Sequence, residues 1–336
     1  MTVVTWVASG LSLRTTGIER FAVSLANELL NHRLLAPGDF TVFADTRAVW
    51  TTELTSIGIN RILPAPGRLT RVPRLLPETR LVHNLGGALF PNPDVSSALR
   101  LYSVYDWGPF RDRSMSFRSR VAWGQAIARG LREADVVHYL NPQLADNRPR
   151  GLAVPRRVVM AFSASALASV RESWTLPPAA LPAYALFIGT NSPRKRVGKI
   201  VEMAARTQTP VVLVGDGTEV HAGQPFVRAV GRVDDTQLSA LIDSSSALML
   251  ISEYEGFGIP VLEAASRGIV SVVSPEVLAN LPAGLAEHVV VADVSDDLAL
   301  GRSIRVAGDS RGMSRFDGSK LLEPLLAVYA DALGSV

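Results

Sequence analysis

The chain has 336 residues, 47% of them hydrophobic and 19% charged, and it contains no cysteine. That apolar fraction excludes a mainly disordered chain, and the missing thiols exclude a disulfide scaffold, a thiolate zinc site, an iron–sulfur cluster and a cysteine nucleophile. The net charge of +3 hides an asymmetry: residues 1–180 hold 21 arginines, no lysine and 13 acids, a net of +8, whereas residues 181–336 hold 13 bases and 18 acids, a net of −5.

The first segment, Thr2–Ala8, has neither a basic flank nor a long apolar run. It reads as a buried strand and not as a signal peptide. Thr16–Leu30 follows with apolar positions near a 3.6-residue period, which predicts a helix. Phe40–Ala44 reads as a strand, and Leu81–His83, Leu101–Tyr105 and Val136–Tyr139 are short apolar segments between turns. Phe117–Ala134 reads as a long amphipathic helix. Three prolines within residues 172–183 mark a stiff connector.

The alternation then restarts. Strands are expected at Tyr184–Ile188, Val211–Val214, Val227–Val230, Ala247–Ile251 and Val270–Val273, with helices at 197–206, 235–244 and 260–267. Ser319–Leu333 reads as an amphipathic helix. The expected fold class is therefore α/β with two domains, over residues 1–175 and 184–318, and a C-terminal helix at 319–336 long enough to cross back to the first. No stretch of about 18 apolar residues appears, so a soluble, cytoplasmic protein is expected.

In open α/β sheets, ligands bind beyond the carboxyl ends of the strands. The richest strand-end loop runs from Ser252 to Gly268. Gly256 and Gly258 allow a tight turn and close ligand approach, Pro260 suits the first turn of a helix, and Gly268 suits its end. Glu255 precedes that helix start and Glu263 lies eight residues further on. Two carboxylates flanking a site for an anion are suited to accept hydrogen bonds from hydroxyl groups on either side of it. Hydroxyls, then a diphosphate, then more hydroxyls describe a nucleotide sugar. Taken singly, Glu255 is better explained as a helix cap and Glu263 as a favourable first-turn acid; it is the whole loop that points to a site.

These residues resemble a family. Glu255-x7-Glu263 with its interior Gly-Phe-Gly-Ile-Pro is similar to the signature of the retaining nucleotide-sugar glycosyltransferases of family 4. Phe187-Ile-Gly189-Thr-Asn-Ser-Pro-Arg-Lys195, Val230-Gly-Arg232 and Thr15-Thr-Gly17-Ile-Glu-Arg-Phe21 resemble further segments of that family, in the expected order. The resemblance implies the GT-B fold, two facing Rossmann-like domains with a cleft between them. By the same resemblance, Glu255 contacts donor-sugar hydroxyls, Glu263 holds the ribose, and the backbone of Gly256, Phe257, Gly258 and Ile259 meets the distal phosphate. Lys195, with Arg194 beside it and Gly189 at the strand end, neutralises the departing diphosphate. Gly17 lets a loop close over the phosphates, and Gly231 and Arg232 lie beside the base.

Two positions depart from the family. Tyr105 stands where many members have histidine, before a retained Asp106 that is expected to contact an acceptor hydroxyl, and Thr190 stands where some carry arginine. Tyr105 is either a sugar or acceptor contact or a core aromatic. His83 and His138 end apolar runs and are read as packing or surface residues. Gly215-Asp-Gly217 lacks the third glycine of a dinucleotide fingerprint and reads as a turn. Asp-x-Asp, the mark of metal-dependent single-Rossmann transferases, is absent.

The implied activity is metal-independent, retaining transfer of a sugar from a nucleotide-diphosphate donor, UDP- or GDP-linked, to a glycan, lipid-linked or small-molecule acceptor. No cofactor and no metal are expected. The alternatives are a non-catalytic homologue acting as a binding subunit and a sugar-nucleotide epimerase on the same fold. Arg61, Arg68, Arg71, Arg74 and Arg80, with Arg111, Arg113, Arg118 and Arg120, make the first half basic. They are either solvated surface or a face for an anionic acceptor or for peripheral contact with the inner face of a membrane. No nucleic-acid partner is expected.

Overall fold

The structure is a computed structural model that describes residues 3–8, 17–65, 78–86, 90, 97–111, 115–162, 183–282, 284–312 and 314–334. The expected connector at 172–183, all but its last residue, and the side chains of Arg68, Arg71, Arg74 and Arg113 lie outside the described residues. The chain divides into two compact units, Met1–Ala166 with Ser319–Val336, and Leu167–Gly318.

The first unit is built on a seven-stranded parallel sheet. Its strands are β1 (Val4–Val7), β2 (Phe40–Ala44), β3 (Ile62–Pro64), β4 (Leu81–Asn84), β5 (Leu99–Val104), β6 (Val136–Tyr139) and β7 (Arg157–Met160), in the order β3-β2-β1-β4-β5-β6-β7. Strands β1, β2, β4 and β6 are buried along their whole length, which is why they read as mainly apolar runs and do not alternate. Helices α1 (Gly17–Asn31), α2 (Val49–Ser56), α3 (Gly108–Arg111), α4 (Phe117–Glu133) and α5 (Pro142–Asp146) connect them. Phe21, Leu25 and Leu29 form the buried stripe of α1. Gly130 admits close packing of α4, because a Cβ there would overlap the Tyr102 ring of β5.

The second unit has a six-stranded parallel sheet: β8 (Ala185–Ile188), β9 (Val211–Val214), β10 (Val227–Gly231), β11 (Ala247–Leu250), β12 (Ser271–Val273) and β13 (Val289–Val291), ordered β10-β9-β8-β11-β12-β13. Its helices are α6 (Val197–Thr207), α7 (Asp235–Ser244), α8 (Ile259–Ala265), α9 (Pro275–Leu278) and α10 (Asp297–Asp309). Its core gathers Phe187, Ile200, Met203, Leu213, Met249, Leu300 and Ile304. Both sheets reverse direction of build beside their first strand, so each is a doubly wound, Rossmann-like unit with a topological switch point.

The terminal helix α11 (Glu323–Leu333) belongs to the first unit and packs along β4 and β7. Arg80 Nη1 donates to Leu333 O at 2.6 Å, and Arg157 pairs with Asp331 at 3.1 Å. The structure adds elements that the apolar pattern did not announce: α2, β3, α3, α5, β7, α9, β13 and α10. The helix expected at 260–267 spans Ile259–Ala265, and the strand expected through Tyr105 ends at Val104. Among the described residues, no helix is long and apolar enough to cross a membrane.

Candidate functional site

The switch point of the second sheet lies between β8 and β11, and the two richest loops of the sequence leave from these strands. Gly189 follows β8 and donates its N–H to Val214 O at 2.9 Å, while Gly215 after β9 donates to Gly231 O at 2.7 Å. Gly215 has φ +130°, and a Cβ there would overlap the Gly189 carbonyl. Gly189, Gly215 and Gly231 thus lie at the ends of three neighbouring strands, joined through their backbones at Gly215, with the Glu219 side chain against Gly231. Gly215–Gly217 is a turn, closed by Thr218 Oγ1 on Gly215 O at 2.8 Å.

Lys195 ends a short 3₁₀ turn, Pro193–Lys195, and is buried. Its ammonium donates to Glu255 Oε1 on the loop after β11. Burial pushes the Lys195 amine below its ordinary pKa, Glu255 opposes that shift, and the neighbouring Arg194 cation adds to it. Arg194 Nη1 lies 3.7 Å from the same Glu255 oxygen and donates to Tyr254 O at 3.1 Å, with its guanidinium 5.0 Å over the Tyr254 ring. The two loops are also joined through their backbones, since Glu253 N donates to Arg194 O at 2.8 Å.

Further along this loop, Gly258 has φ +83° and precedes α8, with Pro260 in the first turn. A Cβ at Gly258 would stand 2.8 Å from Leu281 Cδ2, which can shift, so it is the positive φ that favours glycine here. Phe257 is buried, so its ring serves packing. Gly256 is half-buried, and Ile259 opens α8. Glu263 lies within α8 and is 5% exposed. Arg232 is exposed and pairs with Asp216 at 3.2 Å.

Lys195, Arg194, Glu255 and the glycine row are thus brought together in the second unit. The remaining expected residues belong to the first. Gly17 is the first residue of α1, while the Thr15 and Thr16 that precede it lie outside the described residues. Tyr105 follows β5, with its ring edge-on to Phe21 at 6.1 Å, and burial raises its hydroxyl well above the ordinary range. Asp106 is exposed, and its Oδ1 accepts from Gly108 N at 2.7 Å, an Asx turn that leads into α3.

Two features have partners that the sequence did not signal. Arg196 occupies the left-handed region, φ +53°, and its guanidinium bonds Ile251 O and Glu276 Oε1, each at 3.1 Å. His83 and His138 are fully buried, linked through Ser103 Oγ at 2.7 and 2.8 Å. Both depend on partners far away in the chain.

Residues 174–281 match the family model described as "Glycosyl transferases group 1". O-antigen chain mannosyltransferase B of Escherichia coli is 34% identical over 137 residues, covering 36% of this chain and 35% of that protein. Glycogen synthase of Mycobacterium tuberculosis is 32% identical over 184 residues, covering 45% of this chain and 43% of that protein. The chain thus spans less than half the length of these curated relatives. Among solved structures, Anabaena HepE, determined in complex with UDP and glucose, aligns at a TM-score of 0.65 and 14% identity over 98% of this chain and 100% of its own. That likeness extends over both units, and the chain has the two-domain α/β GT-B fold, with the glycosyltransferase group 1 match centred on its second unit.

Proposed function

We propose that the protein is a retaining glycosyltransferase that takes a sugar from a nucleotide-diphosphate donor and passes it to a glycan, lipid-linked or small-molecule acceptor. The observation that carries this reading is the buried Lys195–Glu255 pair at the switch point of the second sheet, with Arg194 beside it. Breaking the bond between sugar and diphosphate builds negative charge on the leaving oxygen and positive character on the sugar ring. A fixed ammonium answers the first and a carboxylate beside the sugar answers the second.

Lys195 and Arg194 are assigned to the departing diphosphate, Glu255 to donor-sugar hydroxyls and Glu263 to the ribose. The backbone around Gly189, Gly231 and Gly256–Ile259 gives the donor close approach, and Arg232 lies beside the base. Asp106 and Tyr105 are assigned to the acceptor side and Gly17 to the phosphates. The donor is taken as UDP- or GDP-linked, in keeping with the UDP present in the HepE structure. No cofactor and no resident metal are invoked, and the cationic work is given to the protein's own side chains. For a lipid-linked acceptor, the basic first unit is the proposed contact with the inner face of a membrane.

A panel of UDP, GDP, ADP and dTDP sugars in a thermal-shift assay tests the donor. A ligand at about 100 times its dissociation constant adds about 2.7 kcal/mol to stability. The donor that binds is then followed for transfer or hydrolysis, and the anomeric configuration of the product decides retention. Absence of binding by every donor defeats the proposal. Binding without transfer to any acceptor favours the second reading, a non-catalytic subunit. That reading draws on Tyr105, a phenol whose raised pKa keeps it from accepting protons as an imidazole would near neutral pH.

A further inference from the structure

We infer that Arg196 is a positioning residue, which holds Lys195 and Glu255 in the mutual geometry that sugar transfer requires; the inference rests on the reaction proposed above. Three observations carry it.

The first is backbone strain. Arg196 adopts φ +53° and ψ 36°, a left-handed conformation that glycine takes without penalty and a residue with a Cβ does not. Such strain persists where the surroundings over-determine the residue. The second is what its side chain touches. Nη1 donates to Ile251 O at 3.1 Å, Nη2 to Glu276 Oε1 at 3.1 Å, and Nε lies 4.0 Å from Glu253 Oε1. The Arg196 side chain is only 22% exposed. The Glu276 carboxyl is held below its ordinary range by its own backbone N–H, then by the hydrogen bond and charge of Arg196.

The third is topology. Arg196 follows β8, Ile251 and Glu253 follow β11, and Glu276 lies in α9 after β12. These three strands are neighbours in the sheet. One rigid, planar fork therefore ties together the loops that leave the switch point. Lys195 is the residue before Arg196, and Glu255 lies two residues beyond Glu253, so both members of the ion pair hang from the clamped backbone. The guanidinium itself bonds Ile251 and Glu276, with Glu253 nearby, and does not share the Lys195–Glu255 contact.

The test uses the full chain with R196G and R196K. Glycine accepts the left-handed backbone while deleting the fork, so R196G is expected to stay folded. Its kcat with the donor identified for the wild type is expected to fall about 10–100-fold, the cost of a small misplacement of reacting groups. Its donor KM is expected to stay within about threefold of wild type, because the residues that bind the donor remain. R196K, which keeps the charge and loses the planar fork, is expected to give an intermediate kcat, and it carries the same test if R196G does not fold. Hydrogen exchange of the amides at 253–256 is expected to accelerate by about tenfold or more in R196G.

A kcat within about twofold of wild type in R196G overturns the inference. If the wild type turns over no nucleotide sugar, the proposed function fails separately, and hydrogen exchange then decides the clamp: unchanged protection at 253–256 overturns it.

Discussion

The Lys195 ammonium and the Glu255 carboxylate, 60 positions apart in the chain, neutralise each other at the ends of adjacent strands, with side chains only 10% and 11% exposed. Each is the other's nearest counter-charge, with Arg194 a second cation 3.7 Å from the carboxylate. A donor whose diphosphate approaches Lys195 and whose sugar approaches Glu255 must divide this pair between its own two ends. Removing one partner leaves the other charge buried, whereas removing both does not. K195M and E255Q are each expected to lose about 3 kcal/mol of stability, and the double variant is expected to be more stable than the sum of these losses predicts. All three should lower transfer about 10²–10³-fold. Denaturant titration and transfer assays on the four proteins form the cycle. Strictly additive stabilities would mean that the two charges do not support each other in the folded chain.

The glycine row makes a different prediction. Gly215 lies in a region of φ that residues with a Cβ avoid, and its missing side chain is replaced by the Gly189 carbonyl. G215A must therefore move the loop that carries Lys195, and it is expected to cost about 3 kcal/mol or more. Gly217, whose Cβ would stand 3.3 Å from Asn191 Cβ, has only a side-chain neighbour, so G217A is expected to be milder. Unfolding of the two variants side by side checks the ranking.

Glu255, Gly258, Pro260 and Glu263 were legible in the sequence because their arrangement is local: a strand end, a turn and one helix. Lys195 was legible as a rare lysine after a strand-end glycine. The pairing of Lys195 with Glu255 was not, since it depends on β8 lying beside β11, an order that chain sequence does not contain. Arg196 was silent because a backbone angle leaves no trace in residue type when the residue is not glycine. The edge strands β3 and β13 span three residues each and are largely half-buried or exposed, which leaves too short a run to read. The helix expected over Ser319–Leu333 is α11 (Glu323–Leu333), preceded by a 3₁₀ turn at Ser319–Leu322, but its seat on β4 and β7 rests on contacts more than 150 residues away.

Asp106 separates two roles that one carboxylate can fill. Its Oδ1 accepts the Gly108 N–H and so fixes the start of α3. An asparagine keeps that acceptor but has no charge. D106A is expected to lose about 1 kcal/mol through the missing hydrogen bond, and D106N is expected to retain stability. If Asp106 also meets the acceptor as a carboxylate, D106N lowers transfer with the acceptor while leaving hydrolysis or binding of the donor unchanged. Full transfer by D106N reduces Asp106 to its role in the turn.

The buried histidines fix a pH dependence. Trp6 Nε1 can only donate, and it donates to Tyr329 Oη at 2.8 Å; Ala161 O can only accept, and it accepts from His138 Nε2 at 2.8 Å. With both imidazoles neutral, the directions between these ends run one way. Tyr329 donates to His83 Nδ1 at 2.7 Å, His83 Nε2 donates to Ser103 Oγ at 2.7 Å, and Ser103 donates to His138 Nδ1 at 2.8 Å. Burial favours the neutral form of both rings, and in this arrangement a further proton on either would face a donor. Burial lowers His138 from 6.5 to about 4, and burial together with His138 lowers His83 well below its ordinary value. As pH falls through 6.5 the unfolded chain takes up protons that the folded chain refuses, so stability is complete above that pH and is lost as pH falls towards 4. For His138 alone the loss amounts to about 3 kcal/mol. H138N, which can still donate and accept but does not titrate, is expected to be less stable at neutral pH and to lose less stability between pH 7 and pH 4.5. Denaturant midpoints measured across that range for both proteins decide it: an unchanged slope would place the acid sensitivity elsewhere in the chain.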